Sequence, residues 1–450
     1  MATITRVAGT PLGSVAAAVE AVGGVEEEYF LDGIATRYGL VEGTGYSPDG
    51  RWLAEPAGDP ATFRTRMLVV RPGDPATFNG DVVVVWNNVS GGESFMPPNR
   101  VAQMLQDGYA VVGVSAQVVG VEGPAAGHPA PESMPSLKRN DPARYGDLHH
   151  PGDDYCWDIY TQAGQLLGPD RPRDLDPLGG LEVEHLIATG GSQSAARLAS
   201  YLNAVQPLAG AYDAFLLVVY PNAPTALNAE TTPAEVRQAG PGNTTQLLPW
   251  HEQVTREDLD VPIIVLNSEW ESAECWPNHQ DDTELLRWWE VTGSGHVGSA
   301  GAEEMEMMAS MGFAGSTVSF APANRAALHA LHRWIRGGAA PPHQPRLVRA
   351  GDTRVLARDE QGNALGGIRF PDLEAPLGTH VGENLTDNIA AVGGSSTPFP
   401  PEKVKELYPD HDAWFAKYQA AVEHLVESEV VLPDDAERML ARARAFSLPT

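Results

Sequence analysis

Val183-Glu-His-Leu-Ile-Ala-Thr-Gly190-Gly191-Ser192-Gln193-Ser194-Ala195-Ala-Arg-Leu198 is the stretch whose reading decides the fold. Val183–Thr189 is a short apolar run that reads as a buried strand. Beyond it, apolar residues recur at Ala195, Leu198, Leu202 and Val205, the spacing of a helix. A strand that turns through glycines into a helix with a serine at the apex is a nucleophile elbow. Small neighbours are required because the apex residue sits in a strained conformation. The turn exposes the serine hydroxyl, and the helix N-terminus beneath it favours developing negative charge. The usual pattern is G-x-S-x-G, and Ser194 stands in place of its last glycine.

The 450 residues are enough for one elaborate domain or two. A net charge of −29 argues against nucleic acid and anionic membrane surfaces as partners. The N-terminus lacks a basic segment followed by a signal-like apolar core, and no apolar run reaches the roughly 20 residues that span a bilayer. The two cysteines, Cys156 and Cys275, form neither a metal spacing nor a disulfide framework and read as buried thiols. The cytoplasm is the expected location.

Strand and helix patterns alternate along most of the chain. After a mobile start, Glu28–Tyr38 and Thr62–Arg71 read as strands that pair antiparallel at a sheet edge. Asp81–Trp86 and Tyr109–Ser115 are near-continuous apolar runs, as in strands covered on both faces, with a crossover helix at Asn99–Gln106. Helices follow at Asp154–Leu167 and Ala195–Val205, strands at Ala214–Tyr220, Val261–Leu266 and Leu286–Val291, and a closing helix at Asn324–Arg336. This order predicts an α/β protein with a mostly parallel sheet. Residues 1–342 are expected to form the core, with a short cap insertion near 221–260. Residues 343–450 read as a C-terminal extension packed on it, ending in helices at Pro401–Glu427 and Asp434–Phe446.

A serine hydroxyl needs a base, and the base needs an orienting carboxylate. In the chain order that accompanies such elbows, the acid and then the histidine follow the serine. The strand Leu286–Val291 runs into Thr292-Gly-Ser-Gly-His296-Val-Gly298, which puts His296 in a loop of small residues. The strand ending at Leu266 runs into Asn267-Ser268-Glu269-Trp270-Glu271. A small residue at the strand end with the acid three positions later selects Glu271, and Glu269 is the alternative. Asn87-Asn88-Val89-Ser90-Gly91-Gly92, beyond Trp86, can bring backbone amides close to a carbonyl. Val89 N–H and Gln193 N–H are the expected oxyanion donors.

Trp86-Asn-Asn-Val-Ser-Gly-Gly92, Gly113-Val-Ser-Ala-Gln117, Gly190-Gly-Ser-Gln-Ser194, Ser268-Glu-Trp-Glu271 and Trp289-Glu-Val-Thr-Gly-Ser-Gly-His296 together resemble the bacterial α/β-hydrolase domain-containing protein family. Gly362–Pro371 and Leu407-Tyr-Pro409 extend the resemblance from about residue 28 to the C-terminus. It implies an α/β-hydrolase fold and serine-esterase chemistry, with serine usual at the position of Ser194. It implies aspartate at the position of Glu271, which leaves the acid between Glu271 and Glu269.

Other groups have plainer readings. Ser90, Gln117 and Tyr145 are candidate substrate contacts near strand exits. His149-His150-Pro-Gly-Asp153-Asp154 resembles a metal cluster in composition only and reads as a capping aspartate, Asp154, opening a helix. The Met305–Met311 cluster reads as core filling. The sequence thus predicts a serine hydrolase that cleaves small or medium carboxylic esters through an acyl-enzyme on Ser192. No metal or cofactor is required, and an oligomer has no support. An acyltransferase with the same three residues, or a catalytically silent binding protein of this fold, are the alternatives.

Overall fold

The computed structural model describes residues 2–123, 134–173, 175–221, 223–227, 237–238, 246–247, 254–274, 279–297, 315–382 and 392–449. The chain forms two compact units, Met1–Pro262 and Ile263–Thr450. The large mixed sheet is mostly parallel around the site strands and is flanked by helices, which is the α/β class expected from the alternation of patterns and the arrangement that the resemblance implies.

In the first unit the strands are β1 (Thr3–Val7), β2 (Gly24–Leu40), β3 (Ala54–Pro72), β4 (Asp81–Trp86), β5 (Ala110–Val114), β6 (His185–Gly191) and β7 (Ala214–Val218). Their spatial order is β1-β2-β3-β5-β4-β6-β7. The first three and the β3–β5 pairing are antiparallel, and β5, β4, β6 and β7 run parallel. Every residue of β4, β5 and β7 is buried, as the unbroken apolar runs require. The antiparallel pairing of β2 and β3 matches the sequence reading, but they do not form the edge. The segment read as mobile contains β1, which pairs with β2 from Thr3↔Asp32 to Val7↔Glu28 and takes the edge itself. Its alternating polar residues gave too weak an apolar signal to reveal it.

An aromatic cluster fills the space behind β4 and β6. Tyr160, on helix α1 (Cys156–Gln165), lies 4.7 Å from Trp86 and 4.8 Å from Tyr212 between ring centroids. The buried hydroxyls are satisfied: Tyr160 donates to Val84 O at 2.7 Å, and Tyr212 donates to Tyr160 O at 2.7 Å. Trp157 Nε1 donates to Leu227 O at 2.8 Å.

Helix α2 (Gln193–Ser200), entered through Ser192, runs into a π-helical turn at Tyr201–Val205 and then Gln206–Ala209. The sequence reading had a plain helix to Val205. Pro207 explains the difference. In an α-helix its nitrogen would face Asn203 O, but proline has no N–H to donate and its ring crowds that carbonyl. Asn203 O instead accepts from the Arg256 guanidinium at 2.9 Å. The Asn203 side chain accepts from Arg256 N at 2.9 Å and donates to Val254 O at 2.8 Å.

The expected helix cap at Asp154 is also corrected. Asp153 Oδ1 accepts from Val118 N at 2.8 Å and its Oδ2 pairs with Arg197 at 2.8 Å, so this aspartate ties segments together and α1 has no side-chain cap. His150 is buried, with Nε2 2.9 Å from Ala116 O, and burial lowers its pKa toward the neutral ring. Cys156 is a buried free thiol whose pKa burial pushes up. Cys275, Met305–Met311 and most of the 221–260 insertion fall outside the described residues.

The second unit contains β8 (Ile263–Ser268) and β9 (Leu286–Val291), parallel and buried throughout. Helix α3 (Glu269–Glu274) follows β8 directly, and α4 (Ala321–Trp334) corresponds to the closing helix. The extension belongs to this unit. Ile368 N donates to Glu290 O at 2.7 Å, and Leu347 N donates to Glu290 Oε2 at 2.8 Å. An antiparallel pair, β10 (Gly378–Val381) and β11 (Ser395–Pro398), precedes α5 (His411–Glu427) and α6 (Pro433–Ala445). Pro401–Leu407 is a separate helix from α5, broken before the Asp410 cap, whose carboxylate accepts from Ala413 N at 2.8 Å. Among the described residues, no helix is long and apolar enough to cross a membrane.

A buried ionic group ties β2 and β3 to the loop after β4. Arg66 on β3 lies 3.1 Å from Glu93 and 3.8 Å from Glu28 on β2, and all three side chains are at most 2% exposed. Arg144 also pairs with Glu28 at 2.5 Å. Replacing Arg66 with Met leaves Glu93 without a cation and weakens the hold on Glu28. Breaking a buried pair costs about 3–5 kcal/mol, so Arg66→Met is expected to lower the urea-unfolding midpoint strongly. An unchanged midpoint would show that the group is not structurally important.

Candidate active site

Ser192 sits between β6 and α2 with φ 60° and ψ −125°. A non-glycine residue in that region is strained and needs its surroundings to hold it. Ser192 N donates to Val218 O at the end of β7 at 2.9 Å, and Ser192 O accepts from Ala196 N at 3.1 Å in the first turn of α2. The strand–turn–helix read from the sequence is therefore present.

The unusual Ser194 has a local explanation. A Cβ added at Gly190 would lie 2.9 Å from Ser194 Cβ and 3.1 Å from Leu198 Cδ1. The close approach of helix to strand is thus permitted at Gly190, which leaves room for a side chain at 194. The Ser194 hydroxyl accepts from Gln193 Nε2 at 2.9 Å and donates to Asn87 O at 3.4 Å. A glycine there could make neither bond.

The loop after β4 is bound to the elbow. Asn88 Nδ2 donates to Gly191 O at 3.0 Å, and Asn88 Oδ1 accepts from Ser90 N at 2.8 Å. Asn87 Nδ2 donates to Glu93 Oε1 at 2.8 Å, the oxygen that also receives Arg66 and the Ser115 hydroxyl. Val89 is buried, and among the described residues its N–H has no hydrogen-bond partner. Ser90 is exposed on the same loop. Sequence reasoning missed Asn88 and Glu93. Asn88 lay inside a quoted motif without a role, and Glu93 is a lone acid with no spacing to distinguish it.

Gln117 and Tyr145 are both buried. Gln117 Oε1 accepts from Trp86 Nε1 at 3.0 Å, which fixes the amide at the exit of β5. The Tyr145 hydroxyl is occupied: it donates to Glu28 Oε1 at 2.8 Å and accepts from Leu12 N at 2.9 Å. It belongs to the ionic group around Glu28, and burial raises its pKa.

In the second unit, His296 and Glu271 meet, with imidazole Nδ1 against carboxylate Oε1. Glu271 Oε2 accepts from Ser268 N at 2.8 Å and from Ser268 Oγ at 2.6 Å, so the carboxylate is held in place at both oxygens. The Trp270 ring packs edge-on against the imidazole with centroids 5.3 Å apart, a neighbour the sequence did not suggest. Gly293, at φ 76°, and Gly295 shape the loop that brings His296 back. A Cβ at Gly295 would lie 2.3 Å from Gly393 O.

Glu269 is engaged elsewhere. Its oxygens accept from Gly293 N at 2.6 Å, Gly382 N at 3.1 Å and Arg358 at 3.0 Å. Of the two acids left open by the sequence, Glu271 contacts the histidine, while Glu269 braces the loop that carries it. Among the described residues, no cluster of three or more histidine, cysteine, aspartate or glutamate side chains is arranged to hold a metal.

Substitution at the elbow separates these spatial demands. Gly190→Ala places a methyl against Ser194 and is expected to cost about 1–3 kcal/mol by overpacking. At Gly191 the nearest neighbour of an added Cβ is Val218 O at 3.8 Å, an ordinary contact. Gly191→Ala is therefore expected to keep the parental unfolding midpoint, as thermal or urea denaturation will show. Equal effects at both positions would contradict the packing argument.

A family model described as an alpha/beta hydrolase domain matches residues 3–441. No curated protein matches the chain. Among solved structures, the chain is similar to an acetyl xylan esterase from Paenibacillus sp. R4, at 16% identity over 49% of this chain and 53% of that one, with a TM-score of 0.24. It thus spans about half the length of that protein. A ferulic acid esterase from Streptomyces cinnamoneus shares 15% identity over 62% of this chain and 85% of its own, with a TM-score of 0.34. The rice cell wall degrading esterase from Xanthomonas oryzae shares 11% over 64% and 89%, with a TM-score of 0.30. At these values the assignment rests on the family match and the strand order. The chain belongs to the alpha/beta hydrolase domain family.

Proposed function

We propose that this protein is a serine hydrolase that cleaves small or medium carboxylic esters through an acyl-enzyme on Ser192. The observation that carries the reading is the contact of His296 Nδ1 with a Glu271 carboxylate anchored on Ser268. An acid fixed at both oxygens sets the tautomer of the imidazole: Nδ1 keeps its proton toward Glu271 and Nε2 is left as the base. The strained backbone of Ser192 at the start of α2 supports the same reading.

In this mechanism Ser192 Oγ attacks the ester carbonyl while His296 Nε2 takes its proton. Val89 N–H and Gln193 N–H donate to the oxyanion, and each such donor is worth roughly 2.7–4 kcal/mol in the transition state. The imidazolium then protonates the departing alcohol. Water, deprotonated by His296, attacks the acyl-enzyme, and the acid leaves as Ser192 regains its proton. Glu271 remains ionised and stabilises the imidazolium in both halves. The mechanism needs no metal or organic cofactor, its partner is a small-molecule ester, and the cytoplasm is the proposed location.

A fluorophosphonate probe is expected to label the parent protein and not Ser192→Ala. Equal labelling of both, or of neither in an active preparation, would refute the nucleophile. Ser192→Ala should lower kcat by roughly 10⁶-fold, and Glu271→Gln by roughly 10⁴-fold with the fold retained. Glu269→Gln should mainly lower thermal stability. If Glu269→Gln abolishes turnover in a folded protein while Glu271→Gln does not, the acid is wrongly assigned.

A further inference from the structure

A cavity of about 420 Å³ lies within the second unit, and its lining includes none of Ser192, His296 or Glu271. It opens between β10, β11 and the two C-terminal helices, and its size is that of a small-molecule site, roughly 300–1,000 Å³. One side is aromatic. Trp414 lies 5.2 Å from Tyr418 and 5.4 Å from Phe446 between ring centroids. Trp414 is itself fixed, with Nε1 donating to Ala375 O at 3.0 Å.

The other side is polar. His380 is only 8% exposed. Its Nδ1 lies 2.7 Å from Ser396 Oγ and its backbone N donates to Asn363 Oδ1 at 2.7 Å, so the ring is held firmly. Among the described residues, His380 Nε2 has no hydrogen-bond partner. The Asp372 carboxylate accepts from its own backbone N–H and interacts electrostatically with His380, but has no side-chain hydrogen-bond donor among the described residues, where the Tyr418 hydroxyl likewise has no partner. A gap left by imperfect helix packing would be lined by apolar groups. This one gathers a carboxylate, an imidazole nitrogen and a hydroxyl beside an aromatic surface.

We propose that this cavity binds a neutral, polyhydroxylated ring, a sugar, with an apolar face against Trp414 and hydroxyls on Asp372, His380 and Tyr418. Charge decides between ligand classes. Asp372 opposes an anion and Arg442, which also lines the cavity, opposes a cation, so a neutral molecule suits both. A carboxylate accepts from hydroxyls, the guanidinium donates to them, and His380 and Tyr418 can do either. A free monosaccharide and the terminal unit of a glycan present the same ring.

The test uses full-length Ser192→Ala protein, in which ester turnover cannot intervene. Saturation-transfer difference NMR and titration calorimetry are run with glucose, xylose, their methyl glycosides, tetramethylammonium and acetate. At least one sugar is expected to bind saturably. Asp372→Asn should weaken it about tenfold, the loss of one charge-assisted hydrogen bond, with an unchanged thermal midpoint. Tyr418→Phe, which removes one oxygen, should weaken it several-fold and serves alone if Asp372→Asn fails to fold. Retention of the methyl glycoside supports a glycan end, and binding of the free sugar only supports a monosaccharide. Absence of saturable sugar binding, undiminished binding by folded variants, or binding of tetramethylammonium or acetate alone would overturn the proposal.

Discussion

Glu93 is a carboxylate sealed from water, and the geometry around the Ser192 elbow depends on its neutralisation. A buried anion persists only when paired and hydrogen-bonded. Here Arg66 supplies the charge, while Asn87 and Ser115 supply further donors. Those partners lie on β3, on the loop after β4 and just beyond β5. Three donors converging on Oε1 of one carboxylate therefore align three chain segments, and Asn88 then fastens the loop to the residue before Ser192. The position of Val89 N–H follows from electrostatics several residues away. A glycine-rich loop alone would have no reason to hold that position.

The second unit solves a related problem with two glutamates only two positions apart. Glu269 and Glu271 leave the end of β8 together, yet each meets a separate set of partners. Glu269 gathers two backbone amides and Arg358, whereas Glu271 receives Ser268 and faces His296. Two positions apart on one turn of a short helix, the two side chains leave roughly 200° apart, so one braces the loop and the other contacts its histidine. Like charges at this spacing are tolerated because each has its own donors.

The course of the chain was legible where burial leaves an unbroken apolar run, as in β4, β5, β8 and β9. It was illegible where the determinant is a single distant partner. β1 carries no apolar stripe and exists because β2 offers it an edge. The π-helical turn depends on Pro207 and on Arg256, far along the sequence, which takes the Asn203 carbonyl. At the candidate site, the elbow and its histidine loop could be read because glycine marks tight backbone. The spacing from Ser268 favoured Glu271 but left Glu269 as the alternative, since both are charged, adjacent to one strand end and buried. Their distant partners distinguish them: Glu269 receives Arg358, more than eighty residues on, and the Gly382 amide, while Glu271 meets His296. Ser194 was legible as a departure from a motif, but its compensation at Gly190 is a contact between two elements.

Pro207 has a further effect on the fold. By leaving Asn203 to bind Val254 and Arg256, it anchors the chain as it returns from the stretch after Leu227. The departing end is anchored too, since Leu227 O accepts from Trp157 and Leu227 N donates to the Tyr46 hydroxyl at 3.0 Å. Both flanks are thus fixed by partners distant in sequence, Trp157 and Tyr46 for Leu227 and Asn203 for Val254. The proline acts as a fastening for a flank nearly fifty residues further along the chain.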